Sequence, residues 1–141
     1  LYGYDKIKTE NIQNELLDKL KLREVQDKKA KTLSGGYQRR LSIALALATE
    51  PKILFVDEPT LGLDVRIRRE LWEVIKGLKG KTTILLATRY LEEVEALADR
   101  VVILDKGRII EDGTVDELKE KTSSNNLEDA FLKIVDGASN E

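Results

Sequence analysis

The 141-residue sequence contains no cysteine, no histidine and no methionine. The lack of histidine excludes histidine metal sites and every histidine-based catalytic scheme. The lack of cysteine, with no signal peptide at the start, makes an intracellular location the expectation. The chain opens at Leu1 rather than at methionine, so the expectation is a piece of a longer protein. Long apolar runs are missing too: the longest mostly apolar stretch, Leu41 to Ala48, is too short to cross a bilayer. Neither sign of charge dominates. With 24 basic and 26 acidic side chains the net charge is −2, which gives no electrostatic case for a nucleic-acid partner.

What is present suffices for a soluble globular domain with a core, since 41% of residues are hydrophobic and 35% charged. Leu1 to Tyr4 reads as a short lead-in. Ile12, Leu16, Leu17 and Leu20 then form a helical stripe with Thr9 as its cap. Lys28-Lys29-Ala30-Lys31 reads as a solvated basic connector. Ser34 is the N-cap of a helix running to about Thr49, whose Leu41, Ala44, Leu45 and Ala48 share a face; Ile43, Ala46 and Leu47 fill much of the rest. That helix is expected to be largely buried. Ile53 to Val56 is a continuous apolar run, the mark of a parallel strand covered on both faces.

Asp64 can cap the next helix, where Ile67, Leu71, Val74, Ile75 and Leu78 recur at helical spacing, and Gly77 and Gly80 end it. Thr82 to Ala87 reads as a second buried strand, and Tyr90 to Ala98 as a helix. Val101 to Leu104 and Arg108 to Glu111 flank the hairpin signal Asp105-Lys106-Gly107. Thr114 and Glu117 form a capping box. A linker from Ser123 to Asn126 leads into an amphipathic helix through Leu127, Ala130, Phe131, Ile134 and Val135, and Gly137 to Glu141 reads as a frayed tail. Buried strands alternating with helices predict an α/β fold with parallel strands. Few strands are available to flank the first one.

Three stretches carry chemistry. Leu33-Ser34-Gly35-Gly36 sets a serine and two glycines at a helix mouth, where bare N–H groups receive anions; alone it reads equally well as an ordinary helix start. Asp57-Glu58 ends an apolar strand in two carboxylates, at the sheet edge where α/β proteins place ligands. Such a pair suits one acid for a magnesium ion and one for a water. Solvated carboxylates are the plainer reading of it, and a helix cap is the plainer reading of Asp64.

Together, in order and spacing, Leu33 to Arg40, Ile53 to Thr60 and Gly62-Leu63-Asp64 resemble the ATP-binding cassette (ABC) ATPases. They match that family's signature motif, Walker B strand and D-loop. Leu104 to Ile109 and Gly113-Thr114 resemble the strands and turn that close its domain. The resemblance implies the C-terminal half of a P-loop ABC ATPase domain: residues 1–32 ending the helical subdomain, 33–121 forming half of the catalytic core, and 122–141 a linker and helix. Gln38 to Ala44 and Leu127 to Phe131 look most like exporter-type members.

On this resemblance Asp57 would hold Mg2+, usually through water, and Glu58 would activate the water that attacks the γ-phosphate of ATP. Ser34, Gly35 and Gly36 would grip the γ-phosphate of a nucleotide held by a second ABC domain in a head-to-tail dimer. Asp64 would couple the two sites. A transmembrane permease subunit would be the further partner, with the chain at the cytoplasmic face of a membrane. Tyr37 stands where many members have glutamine. The family's Walker A loop needs Gly-x-x-x-x-Gly-Lys-Ser/Thr, and no such run occurs. Gly80-Lys81-Thr82 matches only its end, with Ile75 at the first glycine's place and a helix leading into a strand rather than the reverse; it reads as a turn. The adenine-stacking aromatic and the glutamine before the helical region lie upstream of the signature motif in that family. The chain alone is therefore expected to bind ATP poorly and to be inactive.

Arg89 occupies the position of the family's switch histidine. Arginine is always charged and cannot serve as a neutral acceptor. It would either stabilise bound ATP and slow turnover or be a neutral replacement in a site of low activity. Two other functions stay open: a soluble ABC ATPase acting on nucleic acid or ribosomes, and a non-catalytic regulatory ABC domain.

Overall fold

A computed structural model of the chain describes residues 5–139, so the lead-in Leu1 to Tyr4 lies outside the described residues. The chain forms two compact units that divide between Ala87 and Thr88.

The first unit opens with α1 (Lys6–Lys19). Its cap is Asp5 rather than the expected Thr9, because Asp5 Oδ1 accepts from the Lys8 N–H at 2.7 Å. The Thr9 hydroxyl, already inside the first turn, donates to the Asp5 carbonyl at 2.8 Å. Two short 3-10 turns, Arg23–Val25 and Ala30–Thr32, lead to α2 (Gly35–Leu47), two residues shorter than expected. α2 is not largely buried: Gly36, Arg40, Ile43, Ala44 and Leu47 face inward, whereas Leu45 is 67% exposed. The reason is an open apolar groove of about 470 Å³ between α1 and α2, lined by Ile12, Leu16, Leu17, Leu41, Leu45 and Ala48 among others.

β1 (Ile53–Asp57) pairs in parallel with β2 (Thr83–Ala87), in the register Phe55 with Leu85 and Asp57 with Ala87. The crossover is α3 (Val65–Lys76), capped by Asp64 and ending at Gly77 as the spacing predicts; Leu71, Val74, Ile75 and Leu78 are buried. Gly80, at φ +81°, makes the turn into β2. The expectation of a sheet covered on both faces fails. Side chains alternate along a strand, so Leu54 points inward while Ile53, Phe55 and Leu85 are exposed, Phe55 by 72%. Among the described residues this sheet has two strands, and one of its faces is open.

The second unit comprises α4 (Leu91–Leu97), the antiparallel hairpin β3 (Val101–Asp105) and β4 (Arg108–Gly113), α5 (Val115–Thr122) and α6 (Leu127–Ser139). Lys106 and Gly107, at φ +46° and +78°, make the type I′ turn that suits strand twist. Thr114 and Glu117 form the expected capping box, with Glu117 N–H on Thr114 Oγ1 at 3.2 Å and Thr114 N–H on Glu117 Oε2 at 2.7 Å. Ile103, Leu118 and Leu127 form the core, and Phe131, Ile134 and Val135 pack on it. α6 continues through Gly137 to Ser139, where a frayed tail was expected; Asn140 and Glu141 lie outside the described residues.

Candidate functional site

The mouth of α2 is shaped by its sequence. Ser34 holds extended backbone at φ −63°, ψ 160°, and its side chain makes no cap hydrogen bond. Ser34 and Gly35 are exposed and Gly36 is buried. The second glycine is required by packing: a Cβ there would stand 2.5 Å from Ile67 Cγ2. A Cβ on Gly35 would reach Leu63 Cδ2 at 3.5 Å. Gly36 therefore lets α2 press onto Ile67, whereas a side chain at Gly35 would make only an ordinary contact with Leu63. A serine hydroxyl and first-turn N–H groups remain at the exposed end, an arrangement that can receive an anion.

That segment is a compact turn. Glu58 has φ +45°, a left-handed conformation that costs a non-glycine residue about 1 kcal/mol. Its N–H still donates to the Ala87 carbonyl at 2.9 Å, which extends the β1–β2 ladder by one residue. The Leu61 N–H then reaches the Glu58 carbonyl at 3.2 Å, and the Leu63 N–H the Thr60 carbonyl at 3.1 Å. Asp64 Oδ1 accepts from Arg66 N–H at 3.0 Å and Ile67 N–H at 3.1 Å. Asp57 is exposed at the carboxyl end of β1. It lines a small cavity of about 160 Å³ together with Arg39 and Ser42 of α2.

The first unit thus brings Gly35 and Gly36 onto the turn that ends in Asp64, and Asp57 to a cavity shared with Arg39. Arg89 belongs to the second unit: it is exposed, two residues beyond β2, in a bend where the Tyr90 N–H donates to Thr88 Oγ1 at 3.1 Å.

Residues 4–61 match the family model described as ABC transporter. Over 128 residues the chain is 44% identical to the daunorubicin/doxorubicin resistance ATP-binding protein DrrA of Streptomyces peucetius, covering 90% of this chain and 39% of that protein. Over 137 residues it is 40% identical to the doxorubicin resistance ATP-binding protein DrrA of Mycobacterium tuberculosis, covering 96% of this chain and 40% of that one. The chain belongs to the ABC ATPase family. A solved ATP-binding subunit of an ABC transporter superposes with a TM-score of 0.77 at 28% identity, over 95% of this chain and 57% of that one. This ABC ATPase chain spans about two-fifths of the length of these two curated relatives, and its α/β architecture is that of a partial P-loop ATPase fold.

Among the described residues of this ABC ATPase, no helix is long and apolar enough to cross a membrane. Among the described residues no group of three or more acidic side chains converges as a metal cluster either. A magnesium ion needs only one or two carboxylates beside waters and phosphate oxygens, and the exposed Asp57 carboxylate at the end of β1 is a donor of that kind. Arg40, which the sequence marks only as the last residue of the Leu33–Arg40 motif, is buried on α2 and paired to Glu70 of α3. Its signal was its place four residues after Gly36, on the same helix face.

Proposed function

We propose that this chain is part of the ATP-binding subunit of an ABC transporter, which binds and hydrolyses Mg-ATP in a head-to-tail dimer to drive transport across a membrane. The observation that supports this most is Ser34, whose side chain makes no cap hydrogen bond, at a glycine mouth packed on the Asp64 turn, in a unit whose parallel strand ends at Asp57 with Glu58 next. The C-terminal domain half would occupy residues 33–121, after the end of the helical subdomain at 1–32 and before the helix-bearing segment 122–141. The chain would work at the cytoplasmic face, held there by a permease subunit.

Glu58 is the residue for orienting the attacking water and taking its proton, the work of a general-base carboxylate. Asp57 is the residue for magnesium, which when bound neutralises phosphate charge. Ser34, Gly35 and Gly36 donate hydrogen bonds to the γ-phosphate in the second domain's site, and Asp64 couples the two sites across the interface. Arg89, in place of a histidine, neutralises phosphate oxygens and slows turnover. The Walker A loop would come from sequence outside these 141 residues, so titration of this chain alone with Mg-ATP, followed by heat release, is expected to show no saturable binding. In the intact ATPase that carries the chain, Glu58→Gln is expected to lower turnover by at least about 100-fold, as loss of a general base does. Unchanged turnover would refute the hydrolytic reading.

A further inference from the structure

Arg40 is the charged side chain that this unit has taken furthest from water, at 4% exposure. A buried guanidinium needs a partner. It has one on another helix: Arg40 Nη2 stands 2.6 Å from Glu70 Oε2. Arg40 Nε finds no acceptor among the described residues. Its Cζ lies 5.5 Å from the centre of the Tyr37 ring, and the Tyr37 hydroxyl donates to Glu24 ahead of the helix. Glu70, 34% exposed, also receives Arg66 Nε at 3.4 Å.

The spacing of these contacts gives them a purpose. Gly36 and Arg40 are four apart on α2, and Ile67 and Glu70 three apart on α3, so each pair shares a helix face. The glycine contact and the ion pair therefore join the same two helices one turn apart. One side of this joint carries Ser34 to Gly36. The other carries Asp64, whose carboxylate holds the N–H groups of Arg66 and Ile67. A pair of apolar side chains would stabilise such a contact as well or better. What it lacks is direction: the short Arg40 Nη2–Glu70 Oε2 hydrogen bond fixes one point of contact between the helices, whereas apolar packing has no preferred angle.

From this we infer that Arg40 and Glu70 are positioning residues, which with the Gly36–Ile67 contact hold the Ser34–Gly36 mouth and the Asp64 turn as one rigid face. The inference rests on the proposed function, in which those two segments meet the nucleotide and the second domain. Neither Arg40 nor Glu70 needs to touch the nucleotide; they act by keeping two interface elements in register.

The test separates position from stability. In the intact ATPase, Arg40→Met combined with Glu70→Leu replaces the ion pair by apolar packing. The melting midpoint is expected to hold or rise, while kcat falls about 10- to 100-fold, the effect of a misplaced group. Wild-type kcat in this folded variant would overturn the inference. Should the double variant fail to fold, two conservative changes decide. Glu70→Gln keeps the acceptor and is expected to retain most turnover, whereas Arg40→Lys loses the planar guanidinium that reaches Glu70 beside the Tyr37 ring and is expected to be slower; equal rates would overturn the inference. Glu58→Gln, measured in parallel, tells the two failures apart. If it abolishes turnover while the apolar pair leaves turnover intact, only the positioning role is wrong. If it leaves turnover unchanged, the hydrolytic reading is what fails.

Discussion

The β1–β2 sheet and the β3–β4 hairpin are both two-stranded, yet they are built by different means. The hairpin closes through two residues, Lys106 and Gly107, both in the left-handed region. It buries Ile103 and carries a bulge after that residue, and Ile110 packs on the core of the second unit. Its information is local. The parallel pair needs the whole of α3 between its strands, because parallel strands cannot be joined by a tight turn. Where β1 lies thus depends on the packing of α3, with Leu71, Val74, Ile75 and Leu78 buried. Both sheets leave apolar side chains exposed on one face: Ile53, Phe55 and Leu85 in the first, Val102, Leu104 and Ile109 in the second.

The contrast predicts where each unit is fragile. Leu71→Ala, at a fully buried position of the crossover helix, is expected to cost about 2–5 kcal/mol. Trp72, the chain's one tryptophan, makes its fluorescence in urea the measurement; a change under about 1 kcal/mol would mean that α3 does not hold the parallel pair. In the second unit the matching weak point is a local cap. Thr114→Ala removes the capping box of α5 and is expected to cost about 1 kcal/mol, read from the urea midpoint of helix circular dichroism.

The smallest effect is the response to acid. The Arg40 guanidinium hydrogen-bonded to Glu70 holds that carboxyl below its ordinary value of 4.5. The Lys121 ammonium on Glu111 does the same in the second unit. Each carboxyl is more acidic when folded, so the stability it adds is present above 4.5 and is lost as pH falls through the lower, folded value. Glu70→Gln is therefore expected to flatten the acid limb of the Trp72 transition, and Glu111→Gln to leave that limb unchanged.

Features that work within three or four residues are legible in the amino-acid order alone. The Asp64 cap, the Thr114–Glu117 box and the Lys106–Gly107 turn each stand where their residue types predict. Local chemistry can also mislead: Thr9 and Asp5 are both good caps, and only the helix register decides between them. The apolar run Ile53 to Val56 is legible as a strand but not as a half-open one, since burial depends on what the rest of the fold lays against each face. Of the candidate site, the glycine mouth and the paired carboxylates can be read from their order and spacing. The Arg39–Asp57 cavity cannot, because it joins two elements.

By itself, then, the sequence determined the kinds of element, their caps and turns, and the order of residues that marks an ABC ATPase, because propensity, capping and spacing act along the chain. Only the tertiary structure decided that Gly36 must lack a side chain beneath Ile67. Only it paired Arg40 with Glu70, thirty residues away. A desolvated charge takes its partner from whatever helix packing brings within hydrogen-bond reach, and that partner is not written in the neighbouring sequence.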